Sequence, residues 1–167
     1  MIAVALLLAH SIASSPDLGK AAGQCRPGEQ GPSFIVSVAG LKDRRGRLKL
    51  ELYPANDDDF LTDDNLLVQA GKPFARVEIE TPRTGDVVMC IRAPSAGTFA
   101  LSLLHDRDSN RKFGLSVDGI GFAGNPKIGW SKPMASAASA TVGLGPSYIR
   151  IVMNYRHGLF SLRPLGE

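Results

Sequence analysis

Apolar and polar residues alternate along most of this chain. Phe34, Val36 and Val38 fall on one side of a run that ends at Gly40, with Ser37 on the other. Leu48, Leu50 and Leu52 alternate with Lys49, Glu51 and Tyr53, and Val77 and Ile79 with Arg76, Glu78 and Glu80. A period of two belongs to a strand with one dry face and one wet face. Val87 to Ile91 is short and continuously apolar. After the Pro94-Ser95-Ala96-Gly97 turn, Phe99, Leu101 and Leu103 alternate with Ala100 and Ser102. Ala140, Val142 and Leu144 form a weaker run, and Ile149, Ile151 and Met153 alternate with Arg150, Val152 and Asn154. The pattern predicts about seven short strands separated by Gly- and Pro-bearing turns, hence an all-β, antiparallel β-sandwich rather than an α/β fold.

The connections carry their own expectations. Lys42-Asp43-Arg44-Arg45-Gly46 is polar and ends in Gly, as a hairpin between the first two strands requires. Only residues 59–70 have a helical look, with Asp63 or Asp64 as cap and Leu66 and Leu67 as buried face. Residues 106–134 show little periodicity and hold Gly114, Gly119, Gly121, Gly124 and Gly129. They read as one long Gly-rich loop, and loops of that size are usually functional or mobile.

A chain of 167 residues suits one domain. Its division is expected to be a leader and lead-in over 1–23, a flexible segment over 24–32 and a β-sandwich over 33–167. The balance of apolar and charged residues excludes a coiled coil, a collagen-like repeat and a disordered chain. No apolar run reaches the roughly 18 residues of a spanning helix. Ile2 to Ala9 is an apolar core, and Ser11 and Ala13 stand where a signal peptidase accepts small side chains, which predicts cleavage after Ala13. Ala21 and Gly23 offer a second small-x-small site. No Lys or Arg precedes the core, so a buried first strand or an N-terminal anchor is the competing reading. Gln24 ahead of Cys25 spoils a lipidation site.

Cys25 and Cys90 are the two cysteines. In an exported chain they are expected to form one disulfide, and in a reducing compartment they would be two separate thiols. Their spacing fits neither zinc nor a Cys-x-x-Cys redox pair. Together with the leader, they place the chain in a periplasm or outside the cell.

The net charge of +3 hides segregation. Lys42, Arg44, Arg45, Arg47 and Lys49 cluster, as do Asp57, Asp58, Asp59, Asp63 and Asp64. The basic cluster lacks interleaved aromatics that would stack on bases, so it reads as a solvated turn and not a nucleic-acid surface.

The chemistry concentrates further on. His105-Asp106-Arg107-Asp108-Ser109-Asn110 follows the strand that starts near Phe99, and Gly119-Ile120-Gly121-Phe122-Ala123-Gly124-Asn125-Pro126 comes later. With the opening strand and its VAGLKDRRGRLKLELY segment, these residues resemble the bacterial domain-of-unknown-function family 2141, from about Ser33 to Tyr155. That resemblance implies a small exported domain with a β-sandwich of prealbumin or immunoglobulin type. It implies no activity.

Asp106, Asp108 and Asn110 offer three side-chain oxygens at alternate positions, the spacing with which a tight loop wraps calcium. Arg111 stands where the sharp turn of such a loop wants Gly, and Val117 stands where a bidentate carboxylate belongs. Asp118 follows one residue late. The competing reading is an Asx-rich turn whose side chains bond their own backbone. His105 beside Asp106 invites an acid–base reading, yet neighbours on a strand point to opposite faces. Trp130, the sole tryptophan, sits among Gly and polar residues with Phe122 upstream, where an aromatic can stack on a sugar or seat a partner.

These features point to a non-enzymatic accessory or binding module of the cell envelope. Its recognition face would be the long loop, with His105, Phe122, Asn125 and Trp130 as contacts. The expected partner is an envelope protein or a saccharide, with no nucleic acid and no cofactor other than calcium. A hydrolase using His105 with Asp106 or Asp108, or a purely structural envelope protein, are the alternatives.

Overall fold

A computed structural model describes residues 11–159 and 161–166. The apolar core of the expected leader, Ile2 to Ala9, lies outside those residues. The chain runs α1 (Lys20–Gly23), β1 (Ser33–Ala39), β2 (Arg47–Pro54), α2 (Asp64–Gln69), β3 (Ala75–Glu80), β4 (Val87–Arg92), β5 (Gly97–Asp106) and β6 (Gly119–Phe122). A 3₁₀ turn (Ala135–Ala138) then leads to β7 (Ser139–Val142), β8 (Pro146–Val152), β9 (Asn154–His157) and β10 (Ser161–Pro164).

The strands form two sheets, one ordered β4-β1-β8 and the other β10-β9-β6-β5-β2-β3 with β7 added beside β5. The alternating runs do what their period requires. Phe34, Val36, Val38, Met89, Ile91 and Ile151 of the small sheet are buried against Leu48, Leu50, Leu52, Leu101 and Leu103 of the large one. Within the large sheet, β2 and β5 are antiparallel, with Leu48 opposite His105, Leu50 opposite Leu103 and Leu52 opposite Leu101. The architecture is thus nearly all β, as expected, but with ten strands among the described residues rather than about seven. The additional β6, β9 and β10 are four residues each, too short to show a period. One pairing, β1 with β8, is parallel.

Three local expectations are corrected. Lys42 to Gly46 does not close a hairpin, because β1 lies in the small sheet and β2 in the large one, so the segment arches between layers. Alternation specifies which face of a strand is dry, not which strand lies beside it. The predicted loop 106–134 is interrupted by β6, whose Gly119 and Gly121 are packing positions: a Cβ on either would collide with Tyr155 or Ile151. Leu66 is 53% exposed, and Leu67 alone of the pair is buried.

The outer face of the large sheet carries a second apolar cluster of Tyr53, Phe60, Leu67, Phe74, Ala100, Phe122, Ala135 and Ala138. Tyr53 meets Phe74 edge-on at 5.4 Å, and Phe60 meets Phe122 at 5.8 Å. At the β3–β4 side of the sandwich, the N-terminal segment bridges the two layers. The Gly19 carbonyl accepts the Arg76 N–H of β3 at 3.0 Å, and Gln24 forms a β-bridge with Ile91 of β4. Cys25 and Cys90 form a disulfide across a Cα–Cα distance of 6.0 Å. No helix among the described residues is long and apolar enough to cross a membrane.

Candidate functional site

His105 and Asp106 end strand β5 on opposite faces, so they form no dyad. The His105 side chain points inward and is fully buried. Its Nε2 lies 2.8 Å from the Arg45 carbonyl, which can only accept, so Nε2 carries the proton. Its Nδ1 therefore accepts from the Tyr155 hydroxyl at 2.6 Å, and that hydroxyl accepts in turn from the Lys42 N–H at 3.0 Å. Burial lowers the imidazole's pKa from its usual 6.5 and pushes the Tyr155 phenol up to about 12. The carboxylate nearest the ring is Asp43, 3.9 Å from Nε2. Asp43 is held below its ordinary range chiefly by the Arg107 guanidinium, whose Nε donates to it at 3.0 Å. This arrangement ties the β1–β2 arch to β5 and β9 with a neutral imidazole.

Asp106 points to the other face and meets Asp108 and Asp118, with a ligand oxygen of each within 4.8 Å of the others. The late carboxylate at Asp118 joins the group, while the Asn110 side-chain oxygen accepts from the Lys112 N–H at 2.8 Å. Each carboxylate already accepts N–H groups. Asp106 takes those of Asn110 and Arg111, at 3.1 and 2.8 Å. Asp118 takes those of Arg107 and Gly114, at 2.9 and 2.7 Å. Asp108 takes the backbone and side-chain amides of Asn110. Burial raises the Asp106 pKa, and a hydrogen bond with Asp108 and the charge of Asp118 add to it. The sharp turn is made without glycine: Arg111 sits at φ +66° and Ser109 at +58°. Asp106, Asp108 and Asp118 are the residues with which this loop could hold a cation.

Trp130 and Phe122 line a third place. Between the loops on either side of β6, an apolar groove of about 370 Å³ is lined by Leu61, Phe113, Leu115, Ile120, Ile128 and Leu162, with buried Phe122 in its floor. Trp130 stands at its rim, 88% exposed. The segment carrying it is anchored farther along. The Lys132 ammonium donates to the Asp57 and Phe60 carbonyls at 2.8 and 2.7 Å, and the Ala135 N–H donates to Asp57 at 2.6 Å. Asn125 lies elsewhere. At φ +48°, its side-chain amide donates to the Arg150 carbonyl at 3.0 Å and its oxygen accepts the Val152 N–H at 2.8 Å. The structure therefore brings Phe122 and Trp130 together and leaves His105 and Asn125 out of that group.

Sequence reasoning missed a fourth group. Arg76 is buried on the outer face with Glu51 at 2.8 Å and Asp64 at 3.0 Å, and the Tyr53 hydroxyl donates to Glu51 at 2.8 Å. Burial works to raise the Asp64 pKa, but hydrogen bonds from Ser14, the Asn65 N–H and Arg76 outweigh it, and the carboxyl lies below its ordinary range. The alternation placed Arg76 and Glu51 on a wet face. Nothing in it signals that α2 and the N-terminal segment cover that face.

Residues 36–149 match a family model described as an uncharacterised protein conserved in bacteria, domain of unknown function 2141. No curated protein and no solved structure matches the chain.

Proposed function

The chain belongs to this family of uncharacterised bacterial proteins, and we propose that it is an exported, non-enzymatic binding module of the cell envelope that seats apolar side chains of a protein partner in the Trp130 groove. The observation that carries this is an 88% exposed tryptophan beside an apolar, preformed groove of about 370 Å³. A folded chain gains stability by burying such surface, so an exposed apolar patch with a cavity beside it marks a place of contact. A protein partner fits the lining better than a saccharide. Saccharide recognition needs several directed polar groups, and the Lys132 ammonium at this groove is already spent on two carbonyls. The Cys25–Cys90 disulfide supports an oxidising compartment. A non-enzymatic role is supported by His105, whose two ring nitrogens are both bonded inside the core.

The test uses Trp130 as its own probe, since it is the only tryptophan. Envelope proteins and envelope oligosaccharides are titrated separately against the protein while its emission is followed. A blue shift with a protein fraction, abolished by Phe113→Ser with Leu115→Ser, is the expected result. Binding that survives those substitutions together with Trp130→Ser, read by calorimetry because that variant has no tryptophan, removes this groove from the reading. A shift with oligosaccharide alone changes the partner class.

A further inference from the structure

The segment ahead of β1 covers the Arg76 group. The Ser14 hydroxyl donates to Asp64 at 2.5 Å, and the Ser15 carbonyl accepts from the Arg76 guanidinium at 2.9 Å. The Gly19 carbonyl accepts the Arg76 N–H, and Leu18 packs on the second apolar cluster. Gly23 is buried so close to β3 that a Cβ there would lie 2.8 Å from the Arg76 carbonyl oxygen. Ser14, Lys49, Asp64, Arg76, Glu78 and Arg111 line a polar cavity of about 160 Å³ at this place.

These contacts separate the two processing sites that small residues offer. Cleavage after Gly23 would remove the Ser15 and Gly19 carbonyls and Leu18, opening the Arg76 group to water and uncovering part of the second apolar cluster. Charge pairs that become exposed contribute little to stability. Cleavage after Ala13 removes from this set only the Ile12 carbonyl, which accepts from the Asn65 side chain at 3.1 Å. Ala13 and Ser14 are both exposed.

We propose that the chain is processed between Ala13 and Ser14, and that the α-ammonium created there binds the Asp64 carboxylate as a structural part of the buried charge group. Hydrolysis by a signal-type peptidase adds water across the amide. Hydroxide goes to the Ala13 carbonyl carbon and a proton to the Ser14 nitrogen, which takes up a second proton to become ammonium near neutral pH. That nitrogen is three covalent bonds from the hydroxyl oxygen that already meets Asp64. Among the described residues Asp64 has Arg76 as its one ionic partner, and Arg76 is shared with Glu51. Glu51 has a second cation in Lys49, at 3.3 Å, and an ammonium beside Asp64 gives that buried carboxylate the same second partner.

The inference rests on the export reading, and the test keeps the two apart. The full chain is expressed in a bacterium, the cell is fractionated, and the recovered protein is analysed by intact mass and N-terminal sequencing. The rate at which its α-amine is acylated is then compared in the native and guanidinium-unfolded states. The expected result is envelope protein that starts at Ser14, with an amine at least tenfold slower to react when native, and with that protection lost in Asp64→Asn. Envelope protein that starts at Gln24, or that keeps its leader, overturns the proposal and leaves export standing. A Ser14 amine that reacts at the unfolded rate in the native protein also overturns it. Unprocessed protein in the cytoplasm overturns both readings.

Discussion

The outer face of the large sheet has two halves of opposite character. Over β2 and β3 it presents Lys49, Glu51, Arg76 and Glu78, and this charged half is covered by α2 and the segment from Ser14 to Gly23. Over β6 and β10 it presents Ile120, Phe122 and Leu162, and this apolar half opens into the groove below Trp130. The covering elements also reach the apolar cluster, through Leu18 and Leu67, so the halves differ in that only the second keeps an open groove. Burying charge contributes little beyond hydrophobic burial and is costly when a partner is lost. The contrast is one of cover, with ion pairs and hydrogen bonds holding the N-terminal segment on the charged half and an open groove on the apolar half.

Arg76→Ala should break the charged half most severely. It leaves Glu51 and Asp64 buried with their shared cation gone, and a loss of about 3–5 kcal/mol is expected in urea unfolding. A loss near zero would mean that the cover, and not the ion group, holds this half. Acidification should come next and proceed in two stages. His105 has a folded pKa lowered from 6.5, so its contribution is full above that value and is lost as pH falls below it. Asp64 has a folded pKa lowered from 3.8, so its contribution is present above 3.8 and is lost as pH falls through the depressed value. Melting temperature against pH should show both stages, and His105→Gln should remove the first while leaving the second.

The apolar half should respond in the opposite way. Trp130→Ser should change stability by no more than about 0.5 kcal/mol, as surface substitutions do, while partner binding is lost. A loss of several kcal/mol would make Trp130 a packing residue and dissolve the contrast. Ser109→Gly should act on stability alone, with a gain of about 0.5–1 kcal/mol in thermal melts, because it relieves a left-handed serine. Millimolar calcium added to that same melt tests the Asp106–Asp108–Asp118 group. Every one of these carboxylates already accepts N–H donors, so no shift is expected, and a rise reversed by chelator would establish an ion site.

How far the molecule could be read from its residues depended on how local each signal was. Leu48, Leu50, Leu52, Leu101 and Leu103 announce their burial through a period of two, and all five lie in the core. The same rule separates His105 from Asp106. Partner choice is not local, so a polar segment ending in Gly46 looked like a hairpin and proved to be an arch. β6 went unseen because glycine replaces the residues that would alternate, for the sake of contact with Tyr155 and Ile151. Of the acidic loop, the clustering of Asp106 with Asp108 was legible and the arrival of Asp118 was half legible. The left-handed turn at Arg111 ran against residue preference. Asn125 was legible only as a polar loop residue, since its use depends on where β8 lies.

That use of Asn125 bears on how the protein behaves in a crowded solution. β4 and β8 are the outer strands of the small sheet, and an outer strand offers unpaired amides to any neighbouring molecule that can add a strand of its own. On β8, the Arg150 carbonyl and Val152 N–H are taken by the Asn125 amide. On β4, Gln24 occupies the position beside Ile91. One side chain and one backbone bridge thus stand at the two edges of the small sheet, where a strand from a neighbouring molecule would otherwise add.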